Sequence, residues 1–225
     1  MTSRTPSAIP LHIRLFRTTF RPIFRGLFHV LAEVRIIGRE NVPKEGAYLV
    51  CINHISIYEP PFILSFWPVA LEAVGAVDIW ERRGQSTLAK LYGGIPVRRD
   101  QFDRQVLEAM ILVLQSGRPL VIAPEGSRSH QPGMRRALPG AAYVIEKVPV
   151  PVIPVGMVGT TDDFMRRALR LERPLLEMRI GQPLHLPIIH GRGQQRRDAL
   201  QENADLIMRA IAALLPIEYR GIYAE

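Results

Sequence analysis

The amino-acid sequence predicts one α/β domain in which helices flank a largely parallel, mixed sheet. From residue 47 onward, short apolar runs alternate with segments whose apolar residues recur at helical spacing. This alternation is typical of strand-helix-strand units, which build parallel sheets covered on both faces. A chain of 225 residues suits one such domain, because it buries roughly 70% of its unfolded surface without a metal or disulfide.

The elements are predicted in order from apolar periodicity and from the residues that end each run. Strands are expected where compact apolar runs occur, at 47–52, 69–77, 95–98, 120–123, 151–158 and 176–181. Helices are expected at 61–67, 85–92, 139–147 and 195–215, and also between Asp100, as an N-terminal cap, and Gly117. A basic stretch around 166–173 has no assigned element.

A basic segment precedes the predicted sheet. Residues 11–32 mix Arg14, Arg17, Arg21 and Arg25 with large aliphatic and aromatic side chains. Such a pattern is typical of an amphipathic helix in the headgroup region of a membrane. It is equally typical of a helix that docks one face on the sheet, and one helix can do both. We therefore divide the chain into a basic amphipathic membrane-associating segment over 1–34 and a main domain over 35–225.

The charge predicts an anionic partner. A net charge of +8 and an isoelectric point near 10.2 fit nucleic acid, an anionic membrane or phosphorylated substrates. The longest stretch without charge, 148–161, is shorter than the ~18 to 20 residues of a membrane span. There is no compact apolar leader, so we expect a cytoplasmic protein that associates peripherally with the cytoplasmic face of the membrane. Cys51, the single cysteine, is read as a small core residue.

A histidine and a carboxylate follow the first predicted strand. His54 and Glu59 lie five residues apart, and Pro60-Pro61 then disfavours helical geometry at Glu59. We therefore expect a loop from His54 to Glu59 that folds the carboxylate back onto the ring. A histidine oriented by a carboxylate is a general base. The remaining histidines are read as surface or core residues: His12, His29, His130, His185 and His190.

Three further segments stand at predicted strand ends. Residues 93–99 provide two glycines and then two arginines. Residues 124–129 contain Gly126 and Arg128, and the glycine permits an unusual backbone conformation beside the arginine. In 150–155, Pro154 removes a donor from the sheet, which predicts an edge or an irregular site.

In order and spacing, these four segments resemble the motif blocks of the glycerolipid acyltransferase family, which includes 1-acylglycerol-3-phosphate acyltransferases. The resemblance spans roughly 35–185, so residues 35–225 would be the acyltransferase domain. It implies that His54 deprotonates the acceptor hydroxyl, and that Glu59, where the family usually has Asp, orients the ring. It also implies a substrate-binding site whose arginines hold the acceptor phosphate, formed by Arg99, Glu125, Gly126, Ser127 and Arg128. Pro154 would lie beside the acyl pocket.

One departure from the family concerns the phosphate. The family's lysine-bearing segment after the third block is represented here by residues 135–139, which contain no lysine. Arg135 or Arg136 must then replace that lysine, or the acceptor is different. An arginine can do so because its guanidinium group presents a fixed fork of donors to phosphate.

The residues agree with transfer of a fatty acyl group from an acyl thioester to a lysophospholipid, giving phosphatidic acid if the acceptor is 1-acylglycerol-3-phosphate. A histidine with an ordinary pKa of about 6.5 suits the base, and no separate nucleophile, metal or cofactor is expected. The co-substrate is acyl-CoA or acyl-acyl carrier protein. Motifs of serine hydrolases, P-loop enzymes and zinc proteases do not occur. The alternatives are another lysolipid or amino-lipid acceptor, and a basic lipid-binding module without turnover; no nucleic-acid partner is expected.

Overall fold

A seven-stranded mixed sheet forms the centre of the protein. The computed structural model describes residues 9–82, 84–97 and 103–224. Within them the strands are β1 (Glu33–Ile37), β2 (Leu49–Ile52), β3 (Glu72–Ala76), β4 (Ile95–Val97), β5 (Leu120–Ile122), β6 (Val152–Val158) and β7 (Leu175–Ile180). Their order is β1-β7-β6-β2-β5-β3-β4. All neighbours are parallel except β6 and β7, which are antiparallel, so the predicted fold class is confirmed.

Helices cover both faces of the sheet. They are α1 (Leu11–Leu31), α2 (Glu59–Phe66), α3 (Asp78–Glu81), α4 (Gln85–Tyr92), α5 (Arg104–Gln115), α6 (Gly140–Lys147), α7 (Phe164–Leu169) and α8 (Gly193–Ala212), with 3₁₀ helices at Arg39–Asn41, Ile217–Tyr219 and Gly221–Tyr223. One face packs against α5, α6 and α8, and the other against α1, α2 and α7. No helix within the described ranges is long and apolar enough to cross a membrane.

Several elements differ from the predicted ones. The strand expected at 69–77 is shorter in the structure, and β1, α3 and α7 were not predicted. In β1 exposed and half-buried residues alternate without a fully buried one, so it lacks the compact apolar signal of a central strand. Asp100 lies outside the described residues. Among those described, α5 begins at Arg104, and the Asp103 side chain accepts a hydrogen bond from the Val106 amide at 3.2 Å.

Of the two alternatives predicted for Pro154, an edge or an irregular site, the structure shows the irregular site and not the edge. β6 lies inside the sheet, between β7 and β2. The β6–β7 ladder begins at the Val155–Ile180 pair, and an isolated bridge joins Val152 to Leu184. Pro154 lies between these two pairings, where its carbonyl accepts from Gly181 at 2.9 Å. The missing N–H therefore falls in a gap of the antiparallel ladder, which explains why a central strand tolerates proline.

Three of the four arginines of α1 bind groups of the protein itself, and the fourth, Arg14, is exposed. Arg17 is 4% exposed and donates to both carboxylate oxygens of Glu72, at 3.0 and 2.8 Å, and Arg118 donates to one of them at 3.0 Å. Arg21 and Arg25 donate to backbone carbonyls of residues 65–68, where α2 ends. Carbonyls at a helix end lack partners within the helix. The docking interpretation of this segment is therefore correct for these three arginines.

We expect Arg17→Ala to lower the free energy of unfolding by about 3 kcal/mol, the lower end of the range for breaking a buried ion pair, since Arg118 remains beside Glu72. Urea denaturation followed by circular dichroism measures this change. Arg14→Ala is the matched control, because Arg14 lies one turn earlier on the same helix and is exposed. Equal stabilities for the two variants would show that the buried cluster does not stabilise the fold.

Candidate active site

The loop that carries His54 leaves the sheet at the carboxyl end of β2. β2 and β5 are parallel neighbours, with Cys51 opposite Ile122, so residues 53–58 and 123–130 emerge side by side. Backbone bonds join these segments: the amides of Ser129 and His130 donate to the carbonyls of His54 and Ile55 at 2.9 and 3.0 Å. The carboxyl ends of parallel strands are the usual location of ligand sites in open α/β sheets.

Asn53 anchors the start of this loop to β6. Its side chain is buried, accepts from the Met157 amide at 2.7 Å and donates to the Met157 carbonyl at 3.0 Å. Both halves of the buried amide are therefore satisfied. This role of Asn53 was not predicted from the sequence, although an asparagine directly after a buried strand is a visible signal.

Glu59 contacts the His54 ring and the loop between them. Its Oε2 lies 2.9 Å from His54 Nδ1, and the Ser56 amide donates to its two oxygens at 3.1 and 2.9 Å. Glu59 is fully buried, and the His54 side chain is 11% exposed. With Nδ1 held by a carboxylate, Nε2 is the ring nitrogen left for a substrate.

The expectation that Glu59 lies in the loop is corrected by the structure. Glu59 is the first residue of α2, and the two prolines follow in its first turn. Amides of the first turn have no partner within the helix, so proline there removes no helical hydrogen bond. The Ser56 side chain, missed by sequence analysis, accepts from the Tyr58 amide at 3.0 Å and stabilises the turn that leads into α2.

Glu125 joins the His54 loop to the loop between β5 and α6. It is 5% exposed, and its two oxygens accept from the backbone amides of His54 and Arg135, both at 2.8 Å. Burial raises the pKa of Glu125 to about 7 against the lowering effect of these two bonds, and the nearby charge of Glu59 raises it further. We expected Glu125 to bind the acceptor, whereas the structure gives both its oxygens backbone partners.

Gly126, Ser127 and Arg128 follow at the same edge of the sheet. Gly126 has φ +71°, and a β-carbon there would lie 2.5 Å from Leu138 Cδ1, so only glycine fits without displacing Leu138. Arg135 Nη1 donates to Ser127 Oγ at 2.6 Å, and Arg128 is partly exposed. The structure therefore brings Arg135 into this group. Arg99 lies outside the described residues.

A cavity of about 810 Å³ opens beside His54, a volume in the upper part of the ~300 to 1,000 Å³ range of small-molecule sites. Its lining is mostly apolar and comes from both faces of the sheet, including Phe24, Leu27, Leu64, Tyr92, Val106, Leu107, Met110 and Ile122. Gly126 and Arg128 also line it. Pro154, expected beside the acyl pocket, is not among the lining residues. It packs instead against Gly181.

Two further chemistries have no support in the described residues. Burial raises the pKa of the Cys51 thiol well above its usual range, so this cysteine is a core residue and not a thiolate nucleophile. Within the described part of the chain, no group of three or more His, Cys, Asp or Glu side chains could hold a metal ion.

Comparison with protein-family models and with known sequences finds one matching family and a relative. The model of the family described as Acyltransferase matches residues 33–158, which include all four motif segments. A relative described as "Probable 1-acyl-sn-glycerol-3-phosphate acyltransferase", from Mycoplasma pneumoniae, is 28% identical over 184 residues. That match covers 76% of this chain and 66% of the relative, slightly less than two thirds of its length.

A similar fold occurs in a crystal structure. The 1-acyl-sn-glycerophosphate (LPA) acyltransferase PlsC from Thermotoga maritima superposes with a TM-score of 0.62 at 21% sequence identity. The superposition covers 86% of this chain and 78% of that one. At this identity the likeness establishes the fold alone.

We expect Glu125→Gln to remove a pH dependence of stability. Because the pKa of Glu125 is raised in the folded protein, folding favours its protonated form, and the wild type loses this contribution as pH rises from about 4.5 to 7. Glutamine does not titrate. The free energy of unfolding of the variant minus that of the wild type should therefore increase by roughly 3 kcal/mol across this interval.

Urea denaturation at half-unit pH steps measures this difference. In glutamine an NH2 group replaces one carboxylate oxygen, so one backbone hydrogen bond is also lost. That loss lowers the free energy of unfolding by the same amount at every pH. A difference that stays constant from pH 4.5 to 7 would contradict the raised pKa.

Proposed function

This chain belongs to the acyltransferase family, and we propose that it transfers a fatty acyl group from an acyl thioester to the hydroxyl of a lysophospholipid. The observation that carries the proposal is the contact between His54 Nδ1 and Glu59 at the edge of a large apolar cavity. The preferred acceptor is 1-acylglycerol-3-phosphate, which would give phosphatidic acid. The name of the Mycoplasma pneumoniae relative and the arginines beside the cavity support this acceptor.

His54 would act as the general base. In the tautomer whose Nδ1–H donates to Glu59, Nε2 is free to take the proton of the acceptor hydroxyl as the oxygen attacks the thioester carbonyl. The tetrahedral intermediate then collapses, the carbon–sulfur bond breaks, and the protonated imidazole returns its proton to the leaving thiolate. The products are an ester and a free thiol. Glu59 stabilises the protonated ring and keeps the reactive tautomer.

The apolar cavity would hold an acyl chain, and the arginines would hold the phosphate. Arg128 lines the cavity, and Arg135 contacts Ser127 in the same motif. Arg135, rather than Arg136, is therefore the replacement that we propose for the family's lysine. Charged hydrogen bonds from guanidinium groups fit phosphate oxygens, often in pairs. Arg99 remains part of the proposed site on the strength of the family resemblance.

The donor would be acyl-CoA or acyl-acyl carrier protein, used as a co-substrate, and the reaction as written needs no cofactor. Both donors carry the acyl chain as a thioester on a large polar carrier. The carrier would stay outside the cavity, since burying its polar groups among apolar side chains is costly, whereas the acyl chain is itself apolar.

We further propose that the protein binds the cytoplasmic face of an anionic membrane through the outer face of α1. This face carries exposed aliphatic side chains, at Leu11, Leu15, Ile23, Leu27 and Val30. Since Arg17, Arg21 and Arg25 bind the protein itself, the contact would depend on apolar insertion more than on those charges. The net charge of +8 would still favour anionic lipid.

The test of function is acyl transfer by the purified protein from acyl-CoA to 1-acylglycerol-3-phosphate, with the diacyl product detected by mass spectrometry. We expect His54→Ala to lower turnover by about 10²- to 10⁴-fold, the usual contribution of a positioned base, with little change in folding. His130→Asn is the matched control, because His130 also contacts a carboxylate, Asp162, but 58% of its side chain is exposed.

The control should keep nearly full activity. If His54→Ala retained more than about a tenth of wild-type turnover, His54 would not be the base. Absence of product from the wild type with every lysolipid tested, and with both acyl-CoA and acyl-acyl carrier protein as donor, would instead favour the lipid-binding alternative.

For the membrane contact, we expect the double variant Leu15→Gln and Ile23→Gln to weaken binding to vesicles of phosphatidylcholine and phosphatidylglycerol by about tenfold or more, because two aliphatic side chains no longer insert. Vesicle co-sedimentation measures the affinity. The control replaces Leu112 and Ile188 by Gln, since these side chains are also aliphatic and exposed but lie with α5 and α8 on the opposite face of the sheet. Similar losses for both double variants would rule out α1 as the specific contact.

A further inference from the structure

The segment 217–224 packs against the loop that carries Arg135. It consists of two short 3₁₀ helices after α8. The loop in question, residues 123–139, leads from β5 to α6 and contains Gly126, Ser127 and Arg128. No apolar periodicity or motif in the sequence indicates that these two segments meet.

Met134, the residue before Arg135, is held by two backbone hydrogen bonds. Its amide donates to the Tyr219 carbonyl at 3.1 Å, and its carbonyl accepts from the Ile222 amide at 3.3 Å. Gly221 packs directly on this peptide: a β-carbon at Gly221 would lie 2.3 Å from the Met134 oxygen and 2.4 Å from its nitrogen. The contact is possible because residue 221 has no side chain.

Ala137, two residues after Arg135, is held by Tyr223. The Ala137 amide donates to the Tyr223 hydroxyl at 3.2 Å, and that hydroxyl donates to Asp205 at 2.6 Å. Burial, and then the bond to Asp205, raise the pKa of Tyr223 to about 12. The hydroxyl therefore keeps its proton and can donate and accept at once.

Arg135 thus lies between two anchored residues. Met134 and Ala137 are buried, whereas the Arg135 side chain is exposed and reaches Ser127. The Arg135 amide is itself held by Glu125, which also holds His54. The backbone at Arg135 is therefore held relative to the base from three sides, and Ser127 binds its guanidinium group.

Resting on the phosphate site proposed above, we propose that the 217–224 segment is a positioning element that sets Arg135 for the acceptor phosphate. Gly221 and Tyr223 would then control the use of phosphorylated acceptors without contacting them. Small displacements are enough, since a shift of ~1 Å in a positioned group can reduce catalysis by as much as 10²-fold.

The test is Gly221→Ala, with Gly193→Ala as the matched control. Both glycines have positive φ, +54° and +57°, but nothing lies within 4 Å of a β-carbon at Gly193. The two variants therefore carry similar backbone strain, and only Gly221→Ala displaces Met134. Kinetics are compared for 1-acylglycerol-3-phosphate and for phosphate-free 1-acylglycerol, with acyl-CoA as donor, and thermal midpoints are recorded.

We expect Gly221→Ala to lower kcat/KM for the phosphorylated acceptor by about tenfold or more. The loss should appear mainly in KM for that acceptor, with KM for acyl-CoA and turnover of 1-acylglycerol close to those of Gly193→Ala. Gly221→Ala combined with Arg135→Ala should be little worse than Arg135→Ala alone, because both changes act on one interaction.

Equal losses for the two acceptors, or additive losses in the double variant, would overturn the proposal. If instead the proposed phosphate site is wrong, Arg135→Ala itself would lower kcat/KM equally for the phosphorylated and the phosphate-free acceptor. If Gly221→Ala does not fold, Tyr223→Phe serves instead, since it removes only the hydroxyl. It should reproduce the same acceptor-selective loss at smaller size, and an unselective loss would again overturn the proposal.

Discussion

Two buried carboxylates determine the geometry of the site. Glu59 and Glu125 accept hydrogen bonds from the amides of Ser56, His54 and Arg135, and Glu59 also contacts the His54 ring. Burying such groups is costly unless they are hydrogen-bonded, so the backbone must present its amides to them. The two loops at the ends of β2 and β5 are therefore held in one arrangement, which places an imidazole beside a cavity and near two arginines.

The sheet makes this arrangement possible. β2 lies between β6 and β5 and is parallel to both, so three chain segments reach the same edge. Asn53 ties the first loop to β6, and Glu125 ties it to the loop after β5. Because each tie joins residues more than 70 positions apart, the geometry of the site exists only when β2, β5 and β6 have come together.

Features with a local signal in the sequence were predictable, whereas features that depend on contacts between distant residues were not. The helix Gln85–Tyr92 and the succession of strands β2 to β7 along the chain followed from apolar periodicity, and the four motif segments indicated the family. Periodicity shows that α1 is amphipathic, but it cannot show that Arg17 finds a buried carboxylate. Likewise, nothing near Arg135 in the chain indicates that Gly221 packs on the preceding peptide.

The orientation of α1 links the fold to the proposed reaction. Three of its arginines bind Glu72 and the carbonyls at the end of α2, and its exposed aliphatic side chains lie on the outer face. Leu27 belongs both to the outer face of α1 and to the cavity wall, because it is 45% exposed and also lines the cavity beside His54. A membrane bound at this face would therefore lie next to a wall of the cavity. The acyl chain of a lipid would then pass from one apolar environment to another without being exposed to water, an exposure that is unfavourable for apolar surface.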